Sequence, residues 1–128
     1  MKITSETNRS SMTEQCHRRG YAAPVDVLLD VGVLEKKKHE DWRYGRVTYL
    51  EQVCNANLHK LTEIMKNIRI CAKDLDLQPS LSDYRQWGAK SRKLRFSKSG
   101  DPNIEKHYAT HYVVKKTDHR IEAESAED

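Results

Sequence analysis

The densest group of residues suited to ligand chemistry is a run of cations in the second half of the chain. The fourteen residues from 85 to 98 contain six cations, no carboxylate and two aromatic rings, Trp87 and Phe96. The cations are Arg85, Lys90, Arg92, Lys93, Arg95 and Lys98. Cations contact phosphates and exposed rings stack on bases, so the run favours a nucleic-acid contact. The alternative is a solvated strand edge, where Lys and Arg prevent aggregation and both rings belong to the core.

A second basic group lies in a pair of short predicted helices. Residues 24–34 and 37–44 would be two short helices around Gly32 in the order of a helix-turn-helix, whose second helix would enter a major groove. The cations available for phosphate contacts are Lys37, Lys38, Arg43 and Arg46. Glu40 and Asp41 on the same helix would face a polyanion poorly. Helical pairs of this kind also occur in any bundle, so groove reading and simple packing both stay open.

Two histidines have a spacing that suits a metal ion. His107 and His111 stand four residues apart, and on a helix both imidazoles would share one face. No third ligand is evident, and Tyr108 and Tyr112 beside them favour packing instead. We therefore predict no metal site and no cofactor. The chain has only five glycines, which excludes a Rossmann or P-loop design.

The three cysteines, Cys16, Cys54 and Cys71, are too widely spaced to suggest a disulfide framework. Their odd number is typical of a protein in a reducing cytosol. Cys54 and Cys71 fall on apolar stripes, where a thiol acts as a small buried hydrophobe. Cys16 stands beside His17, but a nucleophilic pair needs a fixed geometry that this polar segment does not predict.

No apolar run reaches the roughly 18 residues of a membrane span, and the first 20 residues lack the apolar core of a secretory signal.

The net charge of +4 is unevenly distributed. The last eleven residues, 118–128, hold five acids and one arginine, so the remaining chain carries 22 cations and 14 acids, a charge of +8. Such a charge attracts polyanions, although many basic proteins bind none. The acidic segment would compete with a polyanion for the basic residues.

These residues must be positioned by a mainly α fold, predicted as a small bundle of about five helices with one extended segment or minor strand near 92–97. The clearest signal is an apolar stripe over 58–75, which predicts a helix of about five turns with one buried face. Asp101 and Pro102 are residue types common at the N-cap and in the first turn of a helix, so they predict a helix start. Ser80 and Asp83 predict a short helix that includes Tyr84 and Trp87. We divide the chain into a mobile arm over 1–20, a helical domain over 21–114 and an acidic tail over 115–128.

Two motifs resemble those of a family of short uncharacterised bacterial proteins. The first is WRYGRV followed by YLE, over 42–51, and the second is LRFSKSGDPNIEKHYATHYV, over 94–113. Thr48 stands where the family pattern has proline, and threonine also caps a helix well. The resemblance covers about residues 21–113 and implies domain limits and a bacterial or phage origin. It implies no activity, because the family has none assigned.

The sequence favours a noncatalytic, cytoplasmic binding module that contacts nucleic acid or a nucleoprotein partner. A protein–protein adaptor or inhibitor is the alternative, docking through a patch of aromatic residues, namely Trp42, Tyr49, Trp87 and Tyr112. A third possibility is a small metal-dependent hydrolase that uses His107, His111 and a carboxylate. Salt dependence separates the first two, because phosphate contacts weaken steeply with ionic strength and apolar contacts do not. The oligomeric state stays open.

Overall fold

The computed structural model describes residues 5–115, which combine five α-helices with two small antiparallel sheets. The fold is thus mixed α/β, and the prediction of an essentially helical bundle was too narrow. The helices are α1 (Ser5–Arg19), α2 (Pro24–Asp30), α3 (Lys36–Arg43), α4 (Leu58–Asp74) and α5 (Pro102–Ala109), with a 3-10 helix over Leu50–Val53. The strands are β1 (Tyr21–Ala22), β2 (Gln78–Leu81), β3 (Arg85–Gln86), β4 (Ala89–Lys93) and β5 (Thr110–Val113). None of these helices is both long and apolar enough to cross a membrane.

The larger sheet joins segments that are far apart in sequence. Its strand order is β1-β5-β2, and β5 is antiparallel to both neighbours. Tyr112 lies opposite Ala22 on one side and Pro79 on the other. Strands β3 and β4 form a separate two-stranded hairpin. The extended segment predicted near 92–97 therefore overlaps a strand only at its start, and its partner is the adjacent β3.

Helix α4 confirms the strongest periodic signal in the sequence. The side chain of Asn57 accepts a hydrogen bond from Lys60 N at 2.8 Å and so caps the helix start. One face of α4 is buried, consisting of Leu61, Ile64, Met65, Ile68, Cys71 and Ala72. Leu58, at the first position, is instead 61% exposed. The helix thus supplies one wall of the core.

Residues 5–19, which the sequence analysis places in an arm over 1–20, form α1 and pack against α4. The buried face of this helix has helical spacing but is mostly polar: Asn8, Ser11, Met12 and Gln15. Each polar member is hydrogen-bonded, for example Ser11 Oγ to Asp30 at 2.6 Å and Ala23 N to Gln15 Oε1 at 2.8 Å. A hydropathy pattern does not reveal that this polar face is buried, because its side chains are stabilised by hydrogen-bond partners elsewhere in the fold.

Two other predicted helices are not formed as expected. Residues around Ser80 and Asp83 form β2 and the approach to β3, because β2 pairs with β5. Helix α5 begins as predicted, with Asp101 accepting hydrogen bonds from Asn103 N and Ile104 N, but it ends at Ala109. The acidic tail over 115–128 lies, apart from Lys115, outside the described residues.

The two motifs dock on each other. Arg95 O accepts hydrogen bonds from Trp42 Nε1 at 2.7 Å and from Leu50 N at 3.1 Å, and Glu51 N donates to Phe96 O at 2.9 Å. Trp42 has no exposed surface. Three backbone or ring donors of the first motif thus fix the segment between β4 and α5.

Two carboxylates, Glu105 and Glu51, also hold this segment. Glu105 accepts hydrogen bonds from Phe96 N, Ser97 N and Ser97 Oγ, the last at 2.6 Å. Glu51 accepts from Lys98 N at 2.9 Å and from Tyr108 Oη at 2.8 Å. Several charged hydrogen bonds on one short segment make its backbone rigid.

Candidate functional site

The predicted basic run is presented mainly by the hairpin of β3 and β4, residues 85–93, here called the basic hairpin. Lys90, Arg92 and Lys93 are exposed, and Lys98 is exposed in the loop that follows. None of the four has a carboxylate within ion-pair distance in the part of the chain that the structure describes. Four cations without such partners remain available to an external anion.

The hairpin also places two cations opposite each other. Arg85 is the cross-strand partner of Lys93, and like charges in that position repel. Arg85 is compensated by Asp83, with its Nε 2.6 Å from Asp83 Oδ2. Arg85 is therefore less available than predicted, whereas Lys93 has no carboxylate partner among residues 5–115.

Arg95 has a structural contact that the sequence did not indicate. Its Nε donates to Ser97 O at 2.8 Å, its Nη2 donates to Lys98 O, and its guanidinium lies 5.5 Å from the centre of the Tyr49 ring. A guanidinium with two carbonyl partners is committed to holding its own loop. A change at Arg95 would thus alter the loop as well as the charge.

Arg43 is partly buried and lies among aromatic rings. Its guanidinium carbon lies 4.8 Å from the ring centre of Trp87, 5.2 Å from that of Tyr84 and 5.8 Å from that of Trp42. Burial lowers the pKa of Arg43, and its buried Nε has no hydrogen-bond partner among residues 5–115. These contacts pack α3 against the hairpin, which argues against a phosphate contact through this residue.

Arg46 and the proposed recognition helix are engaged in local ion pairs. Arg46 Nη1 lies 3.1 Å from Asp41 Oδ1, and Lys37 Nζ lies 3.8 Å from the same oxygen. The two helices of the predicted pair are present as α2 and α3. The carboxylate of Asp41 nevertheless offsets the charge that a groove-reading helix would need.

The two aromatic residues within the basic run have different environments. Trp87 stands at the hairpin turn, is 39% exposed and donates its backbone N–H to Arg43 O at 2.7 Å. The next residue, Gly88, has φ +84°, a conformation that favours glycine. Phe96 is buried and stacks on Tyr108 with ring centres 5.5 Å apart. Only Trp87 of the two can offer a ring surface to a base.

A cleft of about 450 Å³ opens between the hairpin, β2 and α5. Its apolar and aromatic walls come from Leu81, Tyr84, Phe96, Pro102 and Ala109. Lys93, Arg95, Lys106 and Glu105 also line it. Sequence reasoning missed this cleft, because the pairing of β2 with β5 is needed to bring Leu81 beside α5.

The two histidines considered for a metal do not share a helix face. His107 is on α5, whereas His111 is on β5, where its Nε2 lies 2.9 Å from Tyr84 Oη and its ring stacks on Tyr21. No group of three or more metal-binding side chains occurs within residues 5–115. The paired geometry expected from the i, i+4 spacing was thus wrong, because the helix ends between them.

We predict that the stability of the fold depends on pH because of three histidines. Burial lowers the pKa of His39, His107 and His111 below the ordinary 6.5, and neighbouring arginines lower it further. The unfolded chain then binds protons at a higher pH than the folded chain, so stability is full above about pH 6.5 and falls as the pH drops below it. We expect a lower midpoint of urea unfolding at about pH 5.5 than at about pH 7.5.

The variant His111→Asn should reduce that difference, since asparagine does not titrate and can still hydrogen-bond Tyr84. His17→Asn, on the exposed side of α1, is the matched control and should leave the difference unchanged. If His111→Asn showed the full pH dependence, the His111 ring would not be a source of it.

The aromatic docking patch drawn from the sequence is not formed. Trp42 is fully buried and Tyr112 is 7% exposed, so neither can contact a partner. The exposed rings are instead Trp87 and Tyr44, which is 46% exposed, and their centres are 5.3 Å apart. Trp87 also lines a groove of about 570 Å³ with Leu29 and Leu34.

The cysteines are free thiols. Burial raises the pKa of Cys16 and Cys71, and burial together with Glu51 raises that of Cys54 to about 12. Thiols that stay protonated are poor nucleophiles. Their environments favour the packing role over a catalytic one.

Comparison of the chain with protein-family models, with curated proteins and with solved structures finds no match in any of the three. The resemblance of the two motifs to a bacterial family therefore stays a prediction.

Proposed function

We propose that this protein is a noncatalytic module that binds nucleic acid, or the nucleic acid of a nucleoprotein, through the basic hairpin. The observation that carries the proposal is the set of exposed cations without a carboxylate partner among residues 5–115: Lys90, Arg92, Lys93 and Lys98. Such cations gain most from phosphates, because binding releases condensed counterions and breaks no internal ion pair.

The form of the hairpin supports this assignment. Side chains alternate along a strand, so Lys90 and Arg92 project to one side of β4 and Lys93 to the other. Two extended strands with cations on both sides can follow a phosphate backbone. The half-exposed ring of Trp87 at the turn adds a surface on which an unpaired base can stack. Single-stranded nucleic acid is thus favoured over duplex.

The test is a titration of fluorescently labelled single-stranded and duplex DNA and RNA, read by anisotropy at about 50 and about 200 mM salt. Four phosphate contacts to a single strand predict a logarithmic salt slope near −2.8, so that the affinity falls about 50-fold over this range. Trp87 fluorescence should be quenched on binding. The variant Trp87→Phe, which leaves only the buried Trp42, should lose that quenching.

Absence of binding at the lower salt concentration would end the proposal. Binding with little salt dependence would favour the second candidate, a protein-interaction module that uses the groove beside Trp87. That candidate is supported by the exposed rings of Trp87 and Tyr44 and by the apolar side chains of Leu29 and Leu34. A cytoplasmic location is part of the main proposal and is supported by the three free thiols.

A further inference from the structure

We infer that the cleft between the basic hairpin and α5 binds a single unpaired nucleotide, with its base against the apolar walls and its phosphate between Lys93 and Lys106. This inference rests on the proposed function, because it assigns one position of a bound strand to the cleft. It names the ligand as a nucleoside phosphate, a planar aromatic group that carries a negative charge.

The dimensions and walls of the cleft fit that class of ligand. Its volume of about 450 Å³ is in the range of small-molecule sites, which are mostly apolar with a few charged groups. Tyr84 contributes aromatic surface, and Leu81, Pro102 and Ala109 contribute aliphatic surface. A planar base can bury both of its faces against such walls.

The charges in the cleft favour an anion. Lys93, Arg95 and Lys106 carry three positive charges against one negative charge on Glu105. The Glu105 oxygens already accept hydrogen bonds from Phe96 and Ser97, so they are engaged with the protein. Lys93 and Lys106 are exposed and lack a carboxylate partner within residues 5–115. These two ammonium groups remain available for a phosphate.

Continuity with the hairpin indicates where the nucleotide comes from. Lys93 belongs both to β4 and to the cleft, so a nucleic-acid strand bound along the hairpin can reach the cleft at the end of β4. A base stacked inside a duplex cannot enter a pocket without unstacking, which costs free energy. The cleft therefore adds to the preference for single strands.

Neither part of a nucleotide alone uses the whole site. Inorganic phosphate would leave the apolar walls exposed to water, and an uncharged nucleoside would leave Lys93 and Lys106 unpaired. The combination of an aromatic group with a phosphate uses both features. We therefore expect a nucleoside monophosphate to bind at least tenfold more tightly than inorganic phosphate or the matching nucleoside.

The experiment titrates the full chain with a nucleoside monophosphate, with inorganic phosphate and with the nucleoside, followed by calorimetry or NMR. The test variant is Leu81→Glu, which places a carboxylate at the cleft on an edge-strand position that is 64% exposed. The control is Leu58→Glu, the same change at a leucine of α4 that is 61% exposed. We expect Leu81→Glu to weaken nucleotide binding at least tenfold and Leu58→Glu to leave it unchanged, with both proteins folded by circular dichroism.

The outcomes separate this inference from the proposed function. Oligonucleotide binding without any nucleotide binding up to about 10 mM would overturn the inference and leave the hairpin proposal standing. Nucleotide binding without oligonucleotide binding would retain the cleft as a site for free nucleotides and overturn the hairpin proposal. If inorganic phosphate and the nucleotide bound equally tightly, the assigned ligand class would be overturned. If Leu81→Glu bound the nucleotide as tightly as the wild type, the assigned site would be overturned.

Discussion

Changing Lys90, Arg92 and Lys93 together to alanine is expected to lower the affinity for single-stranded nucleic acid about a thousandfold. A hydrogen bond to a charged group contributes about 1.5 kcal/mol at the low end, and three of them correspond to about 4.5 kcal/mol. The salt slope should become less steep by about 2, since three phosphate contacts are lost. Anisotropy titrations at two salt concentrations measure both quantities. Arg95 is left unchanged because it holds the Ser97–Lys98 loop.

The matched control changes Lys60, Lys66 and Lys73 of α4 to alanine and removes the same total charge from another element. Because a general electrostatic attraction depends on net charge, it would weaken equally in both variants. We expect the control to lose less than tenfold. Equal losses in the two variants would show that the hairpin is not a distinct site, even if the protein binds nucleic acid.

The second large effect is on stability, at Trp42. The side chain is fully buried, lies among the rings of Tyr84 and Phe96 with centres 5.7 and 5.2 Å away, and donates to Arg95 O. Trp42→Ala removes these contacts and leaves a cavity, which costs about 3–5 kcal/mol in typical cores. Native domains are stable by about 5–15 kcal/mol, so this variant should be marginally folded or unfolded. Urea unfolding followed by circular dichroism measures the loss.

Trp42→Phe separates the two contributions. It retains most of the buried aromatic surface but removes the Nε1 donor, while Arg95 O keeps its hydrogen bond from Leu50 N. We therefore expect it to cost clearly less than Trp42→Ala. A loss as large as that of alanine would place the stabilising effect in the hydrogen bond and contradict the packing explanation.

The docking of the two motifs gives a physical reason for their unusual composition. Trp42, Leu50 and Glu51 of the first motif bond the backbone of Arg95, Phe96 and Lys98 in the second. Trp42, Leu50 and Glu51 thus make hydrogen bonds that hold the two motifs together in the fold. Lys90, Arg92 and Lys93, which precede the second motif, are among the cations that have no carboxylate partner within residues 5–115.

Local signals in the sequence were sufficient to predict several of the helical features. The apolar stripe of α4 and the cap formed by Asp101 before Pro102 depend only on residues a few positions apart, and both were predicted. The basic run was also visible, because charge is a property of the residues themselves. Its solvent exposure was not, and Lys90 and Arg95 could not be distinguished by sequence alone.

The tertiary structure decided the features that depend on distant partners. The polar face of α1 is buried because Asn67 and Asp30 hydrogen-bond it, and the predicted helix near Ser80 is a strand because β5 lies beside it. The cleft likewise exists only where these paired segments meet the hairpin and α5. Periodicity and propensity report on neighbours along the chain, whereas strand pairing, the burial of polar side chains and the shape of a cleft depend on contacts between residues far apart in sequence.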